Sequence, residues 1–158
     1  MTGTFEHIMG EICKALIPIS EQVYFGNKQS SVAICTLSSI NLLKEIANSD
    51  LLDKVAIAGR LLSENKGIER IIRYVNSNKN IKKIILCGKD VFGHQAGHSL
   101  IELKKNGIDQ NGMIINSKSP RPFLEVTQEE VEQFRKQVTI IDRTEEIVLL
   151  EIKKLVSV

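Results

Sequence analysis

Cys87, Asp90, His94 and His98 fall within twelve residues, and Gly88, Gly93 and Gly97 are interleaved with them. A thiol, a carboxylate and two imidazoles can ligate metal or move protons. The glycines remove bulk where a ligand would approach the backbone. Two chemistries follow. On one helix, a four-residue spacing puts His94 and His98 on the same face, as a metal pair requires. A protein-held zinc then needs further ligands, and Cys87 and Asp90 are the local candidates, at no recognised spacing. In the second chemistry His94 gives one axial ligand to a metal already held in a flat macrocycle. Gly93 and Gly97 would admit the ring, and Asp90 would accept the proton of the non-ligating nitrogen. The plain alternative is that both histidines sit at a helix start facing solvent.

The elements that must position these groups read as alternating strands and helices. Val32 to Leu37, Val55 to Gly59, Ile81 to Cys87, Met113 to Asn116 and Val138 to Asp142 are short apolar runs, the pattern of strands buried on both faces. Between them lie helical spacings: Leu42, Leu43 and Ile46 behind a capping Ser38 or Ser39, then Ile68, Ile71, Ile72 and Val75. A helix from about His94 ends at Asn106-Gly107, and Thr127 with Glu130 forms a capping box for the next. Glu145 to Val156 closes the chain as a helix. The fold class is α/β: a single Rossmann-like or flavodoxin-like domain with an about five-stranded, mainly parallel sheet and helices on both faces. Residues 31–158 make this domain. Residues 1–30 form an N-terminal helix or arm, in which Phe5, Ile8, Met9, Ile12, Ala15 and Leu16 keep helical spacing and Ser20 to Ser31 is an irregular connection around Gly26-Asn27.

With 158 residues the chain can bury a core as one domain. A net charge of +2 from 21 basic and 19 acidic residues gives no footprint for nucleic acid. Three widely spaced cysteines, Cys13, Cys35 and Cys87, form neither a disulfide framework nor a CxxC pair, which points to a reducing cytoplasm. No apolar run approaches the roughly 20 residues that span a bilayer, so a soluble protein without a transmembrane segment is expected. The phosphate-cradling GxxxxGK[ST], the GxGxxG fingerprint and the Gly-x-Ser-x-Gly nucleophile elbow are all absent.

Four blocks occur in order: Val32 to Ser39, Ala56 to Gly59, Ser63 to Glu69, and Leu86-Cys87-Gly88 followed by Val91-x-Gly93-His94-x-x-Gly97. Together they resemble the corrinoid-binding A subunit of tetrahydromethanopterin S-methyltransferase, over about Val32 to Asp142. The resemblance implies a cobalamin- or cobamide-binding methyl carrier of methanogenesis and one-carbon metabolism, inert without partner methyltransferase subunits. By the same resemblance His94 is the lower axial ligand of the corrin cobalt, the methyl donor is of the methyl-tetrahydromethanopterin type, and the acceptor is a thiol such as coenzyme M. His98 stands where the family pattern has glutamine and inherits no ligand role. The corrin or its tail is expected at Thr36, Leu37, Ser38, Ser39, Gly59, Glu64, Asn65, Gly67, Cys87, Gly88, Asp90, Val91, Gly93, Gly97 and Pro122.

Two departures shape the expectation. Relatives in the membrane complex carry a C-terminal transmembrane helix and this sequence does not, so it resembles a free-standing cytoplasmic homologue. The Asp-x-His-x-x-Gly motif of another cobalamin class is not met, because Phe92 holds the Asp position. Three other functions remain open at this point: a small-molecule-binding α/β module, a corrinoid-storage protein without methyl transfer, and a metal-dependent hydrolase using His94, His98 and Asp90.

Overall fold

The computed structural model describes residues 22–158. Apolar residues alternate strictly along the central strands and so face two separate cores. On β2 (Val32–Cys35), Ala33 and Cys35 enter one core while Val32 and Ile34 enter the other. On β4 (Lys83–Gly88), Ile84 and Leu86 join the first and Ile85 and Cys87 the second. A strand that is apolar on both faces needs a helical layer on each. Helix α1 (Ile40–Ala47) and helix α5 (Leu149–Val156) cover one face with Leu42, Leu43, Ile46 and Ile152. Helices α2 (Lys66–Ser77), α3 (Ala96–Asn106) and α4 (Gln128–Gln137) cover the other.

The sheet is completed by β1 (Val23–Phe25), β3 (Ile57–Gly59) and β5 (Thr139–Thr144), in the order β1-β3-β2-β4-β5. All pairs are parallel except β1 with β3. The four parallel strands follow the flavodoxin-like order 2-1-3-4. The chain leaves β2 for β3 through α1 on one face, then crosses to β4 through α2 on the other. The topological switch point therefore lies beyond the carboxyl ends of β2 and β4, the place where such sheets bind ligands.

Among the described residues there are five strands, but they are not the expected five. Met113 to Asn116 makes only two isolated bridges, Ile108 with Ile114 and Met113 with Phe123. Gly112 and Asn116 turn through positive φ, and the Ile114 N–H donates to Pro122 O. This stretch folds back on the proline loop and buries Ile114 against the helical layer instead of entering the sheet. The fifth strand is β1, inside the expected irregular connection and ahead of residue 31. Its Val23 pairs with Gly59, and Gly26 ends it where a Cβ would lie 2.0 Å from Leu52 O. The expected helix over 5–16 lies outside the described residues.

Local signals hold at several termini. Thr127 and Glu130 form the capping box, with Thr127 Oγ1 accepting from Glu130 N–H at 3.1 Å and Glu130 Oε2 from Thr127 N–H at 2.8 Å. Gly107 ends α3 at φ 74°. The helix expected from His94 begins instead at Ala96, because Gln95 adopts φ 48° and breaks the helical path.

Candidate functional site at the β4–α3 turn

At the switch point two turns are sewn together. After β2, Thr36 N–H donates to Gly59 O at 2.8 Å, and Leu37 turns through φ 50°. The two serines do not cap α1 with their hydroxyls. Ser38 Oγ donates to Lys89 O at 2.6 Å, and Ser39 Oγ accepts from Lys89 N–H at 2.9 Å. Gly88 is the contact point between the turns, at φ 77° with its Cβ position 2.0 Å from Thr36 O. Only glycine fits there. Arg60, following β3, donates from a guanidinium nitrogen to Ser38 O at 2.9 Å.

Asp90 has a task other than the one its spacing implied. Its two carboxylate oxygens accept from Gly97 N–H at 3.1 Å and His98 N–H at 3.0 Å. It thereby satisfies orphan donors at the α3 start, which Gln95 leaves without a side-chain cap. Gly97 is buried, and a Cβ there would lie 3.0 Å from both Asp90 Oδ2 and the Leu37 methyls. Its missing side chain makes room for those two groups and does not open the backbone to a ligand.

His94 stands in the turn ahead of α3, so it and His98 do not share a helix face. The carboxylate beside His94 is Glu64, from the segment between β3 and α2. Glu64 Oε2 lies 3.1 Å from His94 Nδ1, and Oε1 accepts from Arg121 N–H at 3.1 Å. Glu64 is only 3% exposed, whereas the His94 side chain is 59% exposed. A carboxylate oxygen facing Nδ1 can accept a proton from the ring nitrogen but has none to give. His98 spends its own Nε2 lone pair on Lys118 N–H at 3.2 Å. Around His94, Gly93 has nothing within 4 Å of a Cβ, Val91 is exposed, and Phe92 is 89% exposed.

The remaining candidates divide by exposure. Thr36, Leu37, Gly67, Cys87, Gly88 and Pro122 are buried, and Pro122 turns its carbonyl to Ile114 N–H at 2.8 Å. Cys87 is packed beside Cys35, and burial pushes its thiol well above the ordinary range, leaving a poor nucleophile. Asn65 is the N-cap of α2, accepting from Lys66 N–H at 2.7 Å, and Ser63 Oγ accepts from Gly67 N–H at 2.7 Å. Gly59 and Gly67 line a separate apolar cavity of about 310 Å³ between the sheet and α2, with Val23, Phe25, Ile71 and Tyr74. That cavity takes nothing from the histidine turn. Among the described residues no three His, Cys, Asp or Glu side chains converge as a metal cage.

Sequence reasoning placed Glu64 on the rim but not against His94, and it assigned Phe92 no contact role. The Glu64–His94 pair spans 30 residues and two elements, and no periodicity reveals it. The apolar pair Val91-Phe92 between Gly88 and Gly93 was the one local signal available.

Fold and site together define an α/β domain that presents an exposed imidazole, beside a buried carboxylate, beyond the carboxyl ends of its parallel strands. The family model for the A subunit of tetrahydromethanopterin S-methyltransferase matches residues 13–157, and the chain belongs to that family. It is 39% identical over 150 residues to the A subunit of Mtx, a putative methyltransferase of Methanosarcina barkeri, covering 94% of this chain and 72% of that protein. The A subunits of two tetrahydromethanopterin S-methyltransferases are similarly related. That of Methanocaldococcus jannaschii is 40% identical over 121 residues, 76% of this chain and 48% of its own length. That of Methanopyrus kandleri is 38% identical over 124 residues, 77% of this chain and 49% of its own length. The chain thus spans about half the length of these last two relatives. Among the described residues no helix is long and apolar enough to cross a membrane.

Proposed function

We propose that this chain is a cobalamin- or cobamide-binding methyl carrier of a corrinoid-dependent methyltransferase system. The observation that carries the reading is the exposed His94, whose Nδ1 is held by buried Glu64 while Nε2 has no partner among the described residues. The fit to a flat macrocycle is physical. Open space at Gly93 and the exposed Val91 and Phe92 give the imidazole a low, apolar surround that a ring could cover. When bound, a cobalt corrinoid supplies a metal nucleophile that takes up and releases a methyl group.

The chain's own residues bind and orient. His94 would hold the cobalt through Nε2, with Glu64 against the opposite ring nitrogen. Val91, Phe92 and Gly93 contact the apolar ring. Ser38, Ser39 and Lys89 lie on the adjoining rim, within reach of polar ring substituents. Cys87 takes no part, because its thiol is buried and protonated. In this reading the methyl group comes from a methyl-tetrahydromethanopterin-type donor and passes to a thiol such as coenzyme M, each bound by partner subunits. A cytoplasmic setting belongs to the same reading, and the buried, protonated thiol of Cys87 suits it.

The test is the visible spectrum of the purified protein after incubation with cobalamin and desalting, beside His94→Ala. Retained corrin should show, in its Co(II) form, an electron paramagnetic splitting from histidine nitrogen that the variant loses. Corrin retained equally by both proteins without that splitting removes His94 from the metal. No retained corrin on the wild-type protein removes the carrier reading.

A further inference from the structure

The two faces of the β1 edge are covered unequally. Strand β1 pairs with β3 so that Val23 stands opposite Gly59 and Phe25 opposite Ile57, and the same face continues into Cys35 and Ala33 of β2. On β2 that face is core, but at the β1 edge Val23 is 48% and Phe25 66% exposed. The other face of β1 turns Tyr24 against the core beneath α1. Between the bare face and α2 runs the apolar cavity of about 310 Å³, whose helical wall includes Gly67, Arg70, Ile71 and Tyr74. Phe25 meets Tyr74 across one end of it, with ring centroids 6.3 Å apart. A sheet that is apolar on both faces needs a helical layer on each. Among the described residues, the layer on this face stops at α2.

We propose that residues 5–16 of this same chain occupy the groove, laid as an amphipathic helix between β1 and α2. Pattern, tether, length and charge all support that occupant. Phe5, Ile8, Met9, Ile12 and Leu16 follow one another at helical intervals and form a single stripe. The tether is fixed at the groove wall: Gln22 O accepts from Arg60 N–H at 3.0 Å, and a Cβ at Gly59 would lie 2.8 Å from a Val23 methyl. Pro18 bars the helix from running on, which leaves Ile19 to Gln22 as a connection of ordinary length from helix to strand. The helix then ends beside Gly59 and runs antiparallel to both β1 and α2. Ile12 and Leu16 fall toward Gly59 and Gly67, and Phe5 toward Phe25 and Tyr74. At about 1.5 Å per residue the segment extends about 17 Å, while Gly67 to Tyr74 covers about 11 Å, so the stripe reaches the whole groove. Glu6 and Glu11 flank the stripe, and the charged residues of the groove wall are Arg60 and Arg70. The family match begins at residue 13, so the last turn of the segment lies within the family domain. A tethered segment also outcompetes a second copy by its effective concentration.

The experiment uses the full chain and its native Cys13. Cys35 and Cys87 are buried, so a thiol-reactive nitroxide attaches at Cys13, and Cys13→Ser is the blank. In nitrogen-15-labelled protein the nitroxide should broaden the amides of Arg70, Ile71 and Tyr74 on α2. It should spare Lys44 and Ala47 of α1, on the opposite face of the sheet. Ile8→Glu combined with Ile12→Glu places two charges in the stripe, and the α2 broadening should be lost while the β4 amides keep their positions. Broadening confined to β1, next to the tether, overturns the proposal, as does equal broadening on α1. A nitroxide-bearing copy without nitrogen-15, mixed with an unlabelled nitrogen-15 copy, should broaden nothing on α2. Broadening there assigns the groove to a second copy and overturns the in-chain reading. If α2 is spared and anilinonaphthalene sulfonate shifts the Ile71 and Tyr74 amides, the cavity is a small-molecule site and the proposal fails. Should the double variant not fold, the wild-type contrast between α2 and α1 still decides.

Discussion

From Gly88 to Asp90 the turn after β4 is tied to several other segments, whereas from Val91 to His94 it closes mainly on itself. In the first half, Gly88 donates to Glu146 O and accepts from Glu145 N–H, Lys89 is held by Ser38 and Ser39, and Asp90 is bound to the α3 start. In the second half, His94 and Gln95 N–H groups both donate to Val91 O, and the side chains of Val91, Phe92 and His94 are exposed. The side-chain tie from this tip to another part of the fold is His94 to Glu64. A ligand-presenting imidazole needs both halves: a base rigid enough to fix its place, and a tip bare enough to be covered.

Gly88→Ala is the largest blow to the base. A methyl at φ 77° would lie 2.0 Å from Thr36 O, and backbone on both sides prevents relief. A loss of about 3 kcal/mol or more is expected, read as a drop in the urea midpoint. A loss below about 1 kcal/mol would mean the two turns can part, and the contrast between base and tip would fail.

Asp90→Ala comes next. It leaves Gly97 and His98 N–H groups without the side-chain acceptor that replaces an ordinary N-cap. Loss of such a cap costs about 1 to 2 kcal/mol. Hydrogen exchange should quicken at Gly97 and His98 while the strand amides of β4 stay protected. Uniform quickening across the sheet would show that Asp90 supports the whole domain and not the helix start.

The layers of this fold were legible because they rest on local pattern. The continuous apolar runs of β2 and β4, the capping box at Thr127 and the stop at Gly107 each depend on residues close in sequence. What escaped was set by tertiary partners. Val23 to Phe25 is too short for periodicity and becomes a strand only because β3 offers it an edge. Met113 to Asn116 has the composition of a strand, but its backbone hydrogen bonds go to Asp109, Pro122 and Gly107. At the site, the position of His94 was legible from its glycine-flanked turn after an apolar run. Its partner was not: Asp90 was nearer in sequence, yet the α3 amides claim it and leave Glu64 to the imidazole.

The smallest effect is expected at the tip, and it is the most discriminating. Gly93 has nothing within 4 Å of a Cβ and no positive φ to relieve. Phe92 makes little use of its ring for packing, being almost wholly exposed. Gly93→Ala and Phe92→Ser should each shift stability by no more than about 0.5 kcal/mol, in the same denaturation experiment that registers Gly88→Ala. If both also leave cobalamin retention unchanged, the apolar surround of His94 is not a contact surface and the imidazole alone carries binding. If retention falls while the urea midpoint holds, these residues serve the ligand and not the fold. That would explain why a phenylalanine stands bare beside a histidine when the core below could have buried it.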